Sequence, residues 1–132
     1  MGDRLSKRGA SPDLIVSSPA TRALKTAAVI AASLGYEVKH IVVDNRLYPG
    51  EVDALLNVIH GLDDRLDRVM LCGHNPGMTE LAHGLSRKIT HLPTCAVAEL
   101  AFDVQSWSKA DESNLVGAAL DFPRKPQKKT PE

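Results

Sequence analysis

Two cationic side chains follow short apolar runs at points where a helical pattern begins. Arg22 closes the segment "SSPATR", and His74 stands in "CGHNPG", directly after the run "VML". A guanidinium holds phosphate through two parallel hydrogen bonds, and an imidazole donates a hydrogen bond to an oxyanion. Because the first N–H groups of a helix are free and its dipole is positive there, both positions favour an anion. The two segments therefore indicate a phosphate site.

The chain as a whole carries no net charge that would favour a polyanionic partner. Its 132 residues include 16 basic and 16 acidic side chains, and 43% of the residues are hydrophobic. We therefore expect one globular domain that binds neither nucleic acid nor a membrane. No apolar run of membrane length and no secretory leader is visible in the sequence, so we expect a cytoplasmic protein.

The apolar pattern predicts strands that alternate with helices. The predicted strands lie at about 13–17, at 40–44, in "DRVMLCG", in "CAVAELAFDV" and in "NLVGAALDF". Ser18 is the expected N-cap of the first complete helix, Pro19 its first residue and Gly35 its stop. Further helices are expected at about 51–60 and from Pro76 to about Leu85.

This order of elements predicts an α/β fold, a three-layer αβα arrangement with a mostly parallel sheet and helices on both faces. Strands that are apolar throughout agree with burial on both sides. Ligands bind beyond the carboxyl ends of such strands, so Arg22 and His74 are expected at one edge of the sheet, with Asn75 capping the helix behind His74. The predicted domain covers residues 1–122, and the basic, proline-rich tail 123–132 is expected to be disordered.

Less specific interpretations of the same residues stay open. Arg22 has the character of an ordinary solvated helix residue, and His74 that of a polar loop residue. Cys72 and Cys95 are expected to be buried thiols. A metal site built from Cys72, His74 and His83 lacks a fourth ligand and a familiar spacing, so no metal is predicted. The remaining histidines are expected to be surface residues or to have hydrogen-bond partners; they are His40, His60, His83 and His91.

Four blocks of the sequence, in order, resemble the SixA-type phosphohistidine phosphatases of the histidine phosphatase superfamily. The blocks are "PDLIVSSPATRALKTAAVI", "NRLYPGEVDALLNVI", "VMLCGHNPGMTELA" and "HLPTCAVAELAF", and the likeness spans roughly residues 5–122. The resemblance implies a phosphoglycerate mutase-like fold, no metal and no other cofactor. It also implies that the substrate is phosphohistidine on a phosphorylated histidine-containing phosphotransfer protein.

The resemblance assigns roles to both cationic residues. In this family phosphate passes to a nucleophilic histidine and then to water, in a pocket of two arginines and two histidines. Arg22 matches the arginine of the "SSPxxRA" block, and His74 matches the second histidine, in "GHNP". Both would be catalytic residues that bind the substrate phosphate. No proton donor is assigned, since Glu51, Asp53 and Glu80 are expected to lie at solvated helix starts.

One part of the family pattern is missing from these 132 residues. Family members begin with an apolar strand that ends in Arg-His-Gly or Arg-His-Ala, and its histidine is the nucleophile. No Arg-His dipeptide occurs here, and residues 1–9 look like the end of a helix with no beginning. We therefore expect an N-terminally truncated, inactive form that lacks the family's first, central strand. Two strands would keep unpaired backbone groups, so the chain alone would be poorly soluble, partly unfolded or completed by another chain.

Three functions remain open at this point. The first is a phosphohistidine phosphatase whose natural sequence extends upstream. The second is a non-catalytic module that binds phosphate or a phosphoprotein through Arg22 and His74. The third is a general phosphatase of small esters from the same superfamily, although the long insertions that usually cover such substrates are missing.

Overall fold

The computed structural model describes residues 11–89, residue 92 and residues 97–121. Within these ranges the strands are β1 (Leu14–Ser17), β2 (Val42–Val43), β3 (Val69–Cys72), β4 (Val97–Phe102) and β5 (Leu115–Asp121). The α-helices are α1 (Thr21–Leu34), α2 (Val52–His60) and α3 (Gly77–Ser86). Short 3₁₀ turns cover Val38–His40, Asn45–Leu47, Trp107–Lys109 and Glu112–Asn114.

Three of the strands form a parallel sheet with β1 in the middle. The order is β2-β1-β3, and Ser17 at the end of β1 lies opposite Val43 of β2 and Cys72 of β3. The three strands therefore end together, as the alternation of strands and helices predicts. The same edge of the sheet receives the loops that lead into α1 and α3.

Successive side chains of β1 point to opposite faces of the sheet and pack against the helices on each side. Ile15 packs with Ala27 and Ala31 of α1, and all three are fully buried. Val16 points to the opposite layer and packs with a larger cluster that includes Leu55 of α2. The rest of that buried cluster is Leu47, Val58, Ile59, Leu81, Leu85 and Ala110. The predicted three-layer αβα fold is thereby confirmed.

The last two strands form a separate antiparallel pair. β4 pairs with β5 over residues 97–102 and 115–121, with a register irregularity between Ala101 and Phe102. Among the described residues, β3 pairs only with β1, and β4 only with β5, so each has one side without a strand partner. The same holds for β2 and β5, so these open sides are those of ordinary edge strands in the described part of the chain. The missing segment itself stays a prediction.

Several predicted boundaries are wrong. Helix α1 begins at Thr21, so Ser18 is not its N-cap and Pro19 lies outside it. The expected strand at 40–44 is reduced to Val42–Val43, because residues 38–40 form a 3₁₀ turn. Gly35 does end α1 as predicted, with the positive φ of 74° that glycine adopts without strain.

Some predictions lie outside the described residues. These concern the helix end at residues 1–9, Cys95, His91 and the tail 123–132. In the described part of the chain, none of the helices has the length and hydropathy required to cross a membrane.

Candidate phosphate site

The site begins where β1 and β3 end side by side. The backbone N–H of Ser18 donates to the Cys72 carbonyl at 2.9 Å, which continues the pairing one residue beyond β1. From this point the chain turns into α1 on one side and into the loop of His74 on the other. The order of strands and helices predicts these two corners at one edge of the sheet, and the strand register places them there.

His74 is held by the first of these corners. Its Nε2 lies 2.7 Å from the hydroxyl oxygen of Ser18, a residue 56 positions earlier in the chain. Ser18 is 0% exposed, and its Oγ also accepts a hydrogen bond from the backbone N–H of Ala20 at 3.1 Å. The Ser18 side chain thus connects the imidazole to the turn that precedes α1.

An aromatic ring supports His74 from the loop before α2. The rings of Tyr48 and His74 meet edge to face, with centroids 5.2 Å apart and an interplanar angle of 86°. Edge-to-face contacts of this kind favour one ring orientation. Tyr48 and Ser18 together restrict the position of the imidazole.

The loop that carries His74 is tied to α3. The Asn75 side-chain oxygen accepts from the Thr79 backbone N–H at 3.1 Å and from its hydroxyl at 2.8 Å. The Asn75 amide also donates to the Leu92 carbonyl at 3.0 Å. Asn75 therefore bonds to the first turn of α3, but the helix begins at Gly77 and its N-cap is Pro76, so the predicted start at Pro76 with Asn75 as the cap is wrong by one residue.

Gly77 permits the close contact between this corner and the loop before α2. A Cβ atom built on Gly77 would overlap the carbonyl oxygen of Gly50. The site thus depends on a backbone approach that only glycine allows.

Arg22 is the second residue of α1 and lies four residues after Ser18. Its side chain is exposed, and within the described ranges it has neither a hydrogen-bond partner nor an ion-pair partner. No acidic residue occupies the first turn of α1, so no carboxylate of that turn offsets the positive end of the helix. The structure brings the two corners together, but it records no contact between Arg22 and His74.

A third cation near this edge is already neutralised. The backbone N–H of Asp44, just after β2, donates to the Ser17 carbonyl at 3.0 Å, and the Asp44 carboxylate binds Arg46 at 2.7 Å. The Arg46 guanidinium is the main reason why the pKa of Asp44 lies below its usual value. Arg46 is therefore ion-paired with Asp44, whereas Arg22 has no carboxylate partner in the described part of the chain.

Among the described residues, no hydrogen bond or ion pair joins the other candidate groups to Arg22 or His74. Glu51, Asp53 and Glu80 are exposed residues at the starts of α2 and α3, as expected. The His60 ring bonds to the Ala110 carbonyl, and the His83 ring to the Ile89 carbonyl. Over the described ranges, no group of three or more His, Cys, Asp or Glu side chains is arranged so that it could bind a metal ion.

Cys72 precedes the His74 loop and is only partly buried, whereas a fully buried thiol was predicted. Its thiol packs against Ile15, Ala27 and Ala31, and burial raises its pKa to about 11. Only a thiolate is a nucleophile, so Cys72 is not suited to attack phosphate at neutral pH.

The rate at which Cys72 reacts with a disulfide reagent tests whether the pKa of its thiol is raised. In a Cys95→Ala variant, we expect Cys72 to react with a disulfide reagent at pH 8 roughly 100-fold more slowly in the folded protein than in urea, because a raised pKa leaves little thiolate. A similar rate in both states would show that the thiol is exposed and ionises normally.

Comparisons with known proteins agree with the fold described above. The molecule is an α/β protein with the architecture of two solved structures, each provisionally assigned as a phosphohistidine phosphatase SixA. The structure from Nakamurella multipartitia matches with a TM-score of 0.74 and 18% identity, over 92% of this chain and 79% of that one. The structure from Agrobacterium tumefaciens matches with a TM-score of 0.67 and 23% identity, over 89% and 74%. No family model and no curated protein matches the chain.

Two residues that contact His74 are not identified as site residues by the sequence pattern. The pattern predicts Ser18 as a helix cap and Tyr48 as part of a turn. A serine directly after a fully apolar strand was the available signal for a buried hydroxyl. Its partner, however, lies in a distant segment that the local pattern does not identify.

Proposed function

We propose that this chain carries the phosphate-binding part of a phosphohistidine phosphatase site, with Arg22 and His74 as the side chains that bind the phosphoryl oxygens. The observation that supports this most directly is the 2.7 Å contact between His74 and Ser18, because it fixes the imidazole at the turn that leads into the helix of Arg22. The SixA assignment of the two structures with this fold points to the same chemistry.

Each group has a defined role in this proposal. The exposed Arg22 guanidinium binds two phosphoryl oxygens through parallel hydrogen bonds. The His74 imidazole donates to a third oxygen, and the free N–H groups at the start of α1 add positive potential. Donors that are held in place before the substrate arrives stabilise the charge on a transferring phosphoryl group without the cost of reorganisation. The proposed reaction needs no metal.

The proposed substrate is phosphohistidine on a cytoplasmic phosphotransfer protein. Transfer requires an imidazole in line with the leaving group and further donors around the oxygens. His74 fills the second role, and the 132 residues contain no Arg-His segment to fill the first. The chain in this form therefore binds the phosphoryl group without turning it over.

Binding of the phosphorylated partner tests this proposal. We expect calorimetry to show tighter binding of a phosphorylated phosphotransfer protein than of the same protein without phosphate. His74→Ala should abolish this preference, whereas His40→Ala, which removes an exposed imidazole on a different segment, should keep it. Equal affinity of the wild-type chain for both forms would contradict the proposal.

A turnover assay tests the expected lack of catalysis. We expect the 132-residue chain to release no phosphate from the phosphorylated protein above the background rate, since one imidazole cannot serve as both nucleophile and oxygen donor. Hydrolysis that is present in the wild type and lost in His74→Ala would show that His74 is itself the nucleophile.

The absence of an Arg-His dipeptide from the 132 residues also favours a second candidate, in which the natural protein is itself a binding module without catalysis. The coding sequence upstream of Met1 distinguishes the two. An in-frame apolar strand that ends in Arg-His would support the phosphatase, and an in-frame stop codon would support the module.

A further inference from the structure

The buried hydroxyl of Ser18 has a limited set of hydrogen-bonding options. A serine hydroxyl offers one hydrogen and two acceptor positions. One acceptor position is taken by the backbone N–H of Ala20, at 3.1 Å. Among the described residues, the Nε2 atom of His74 is the only group placed to accept the hydroxyl hydrogen.

The alternative arrangement is unfavourable. If Nε2 carried a hydrogen and donated it to Ser18, both acceptor positions of the hydroxyl would be filled. Its own hydrogen would then lack a partner at a residue that is 0% exposed. Buried polar groups without partners are rare in proteins because their loss of hydration is not compensated.

We infer that Ser18 donates to Nε2 of His74 and thereby fixes the neutral imidazole in the form that carries its hydrogen on Nδ1. The two ring nitrogens point in different directions, so the hydrogen on Nδ1 faces away from Ser18. Within the described part of the chain, Nδ1 has no protein partner and is available to donate to a ligand. Ser18 is thus a positioning residue for the site.

Only the part of this inference that concerns phosphate binding through Nδ1–H rests on the proposed function. If His74 binds a phosphoryl oxygen, it does so through Nδ1–H, and Ser18 selects that atom. The tautomer of His74 in the free protein is a separate property, which is measured without phosphate.

Nitrogen NMR of the free protein tests the tautomer. At about pH 8.5, we expect the His74 signals of the wild-type chain to show a hydrogen on Nδ1, with the assignment made by comparison with His74→Ala. Ser18→Ala should give a mixture of both tautomers, and Ser18→Thr, which keeps the hydroxyl, should restore the Nδ1–H form. A wild-type His74 with its hydrogen on Nε2 would overturn the inference.

Ser17 provides the matched control. It is also 0% exposed, but its hydroxyl donates to the Ser18 carbonyl at 2.9 Å, and no His74 contact is recorded for it. Ser17→Ala therefore removes an equally buried hydroxyl and should leave the His74 signals unchanged. If Ser17→Ala alters the tautomer as much as Ser18→Ala does, the effect is structural and the role of Ser18 is refuted.

Phosphate affinity separates this inference from the proposed function. Ser18→Ala should weaken the binding of inorganic phosphate about five- to tenfold, the usual effect of one lost hydrogen bond. If the wild-type chain binds no phosphate while His74 is in the Nδ1–H form, the proposed function fails and the role of Ser18 stands. If phosphate binds and Ser18→Ala leaves the tautomer unchanged, the inference fails and the phosphate site stands.

Discussion

Arg22→Ala is expected to weaken the binding of inorganic phosphate by roughly 10- to 100-fold. Arg22 is exposed at the start of α1 and has no carboxylate partner among the described residues, so its guanidinium is free for a ligand. Hydrogen bonds to charged groups contribute roughly 1.5–3 kcal/mol, which corresponds to this loss of affinity. Calorimetry at fixed ionic strength measures the effect directly.

Lys25→Ala is the matched control for this variant. Lys25 is an exposed cation on the same helix, about one turn beyond Arg22. Its removal lowers the positive charge of the helix by the same amount but leaves the first turn intact. If both variants lose affinity equally, phosphate responds only to the net charge of α1 and the specific role of Arg22 is wrong.

Gly77→Ala is expected to lower the free energy of unfolding by about 3 kcal/mol, the upper part of the range for overpacked sites. The added methyl group would overlap the Gly50 carbonyl oxygen, so the loop before α2 and the start of α3 would have to separate. Tyr48 lies two residues before Gly50 and would lose its contact with His74. Urea unfolding, followed by circular dichroism, gives the change in stability.

Gly84→Ala provides the comparison within the same helix. A Cβ atom at Gly84 would meet no atom within 4 Å. Replacement of glycine by alanine in a helix should then raise the free energy of unfolding by up to about 1 kcal/mol. A loss of stability in Gly84→Ala equal to that in Gly77→Ala would show that the close approach to Gly50 does not explain the effect.

Much of the parallel sheet and its helices was predictable, because those signals are local. Apolar runs identified β1 and β3, and apolar spacing of three and four residues identified α1 and α2. The start of α1 was predicted incorrectly because Ser18 bonds to the Ala20 N–H in a turn, and the helix begins only at Thr21. The same local hydrogen-bonding capacity serves caps and turns alike, so the sequence did not distinguish them.

The candidate site, like the fold, was predictable only in part from the sequence. The sequence alone determined that Arg22 and His74 lie where a strand is followed by a helix. The residues that end a strand, form a turn and begin a helix are neighbours in the chain, so their signals are local. Only the tertiary structure decided that the Ser18 hydroxyl meets the His74 imidazole, that Gly77 approaches Gly50, and that β4 and β5 pair apart from the parallel sheet. These contacts join segments that are distant in the chain, and they depend on how the layers pack rather than on the pattern within any one segment.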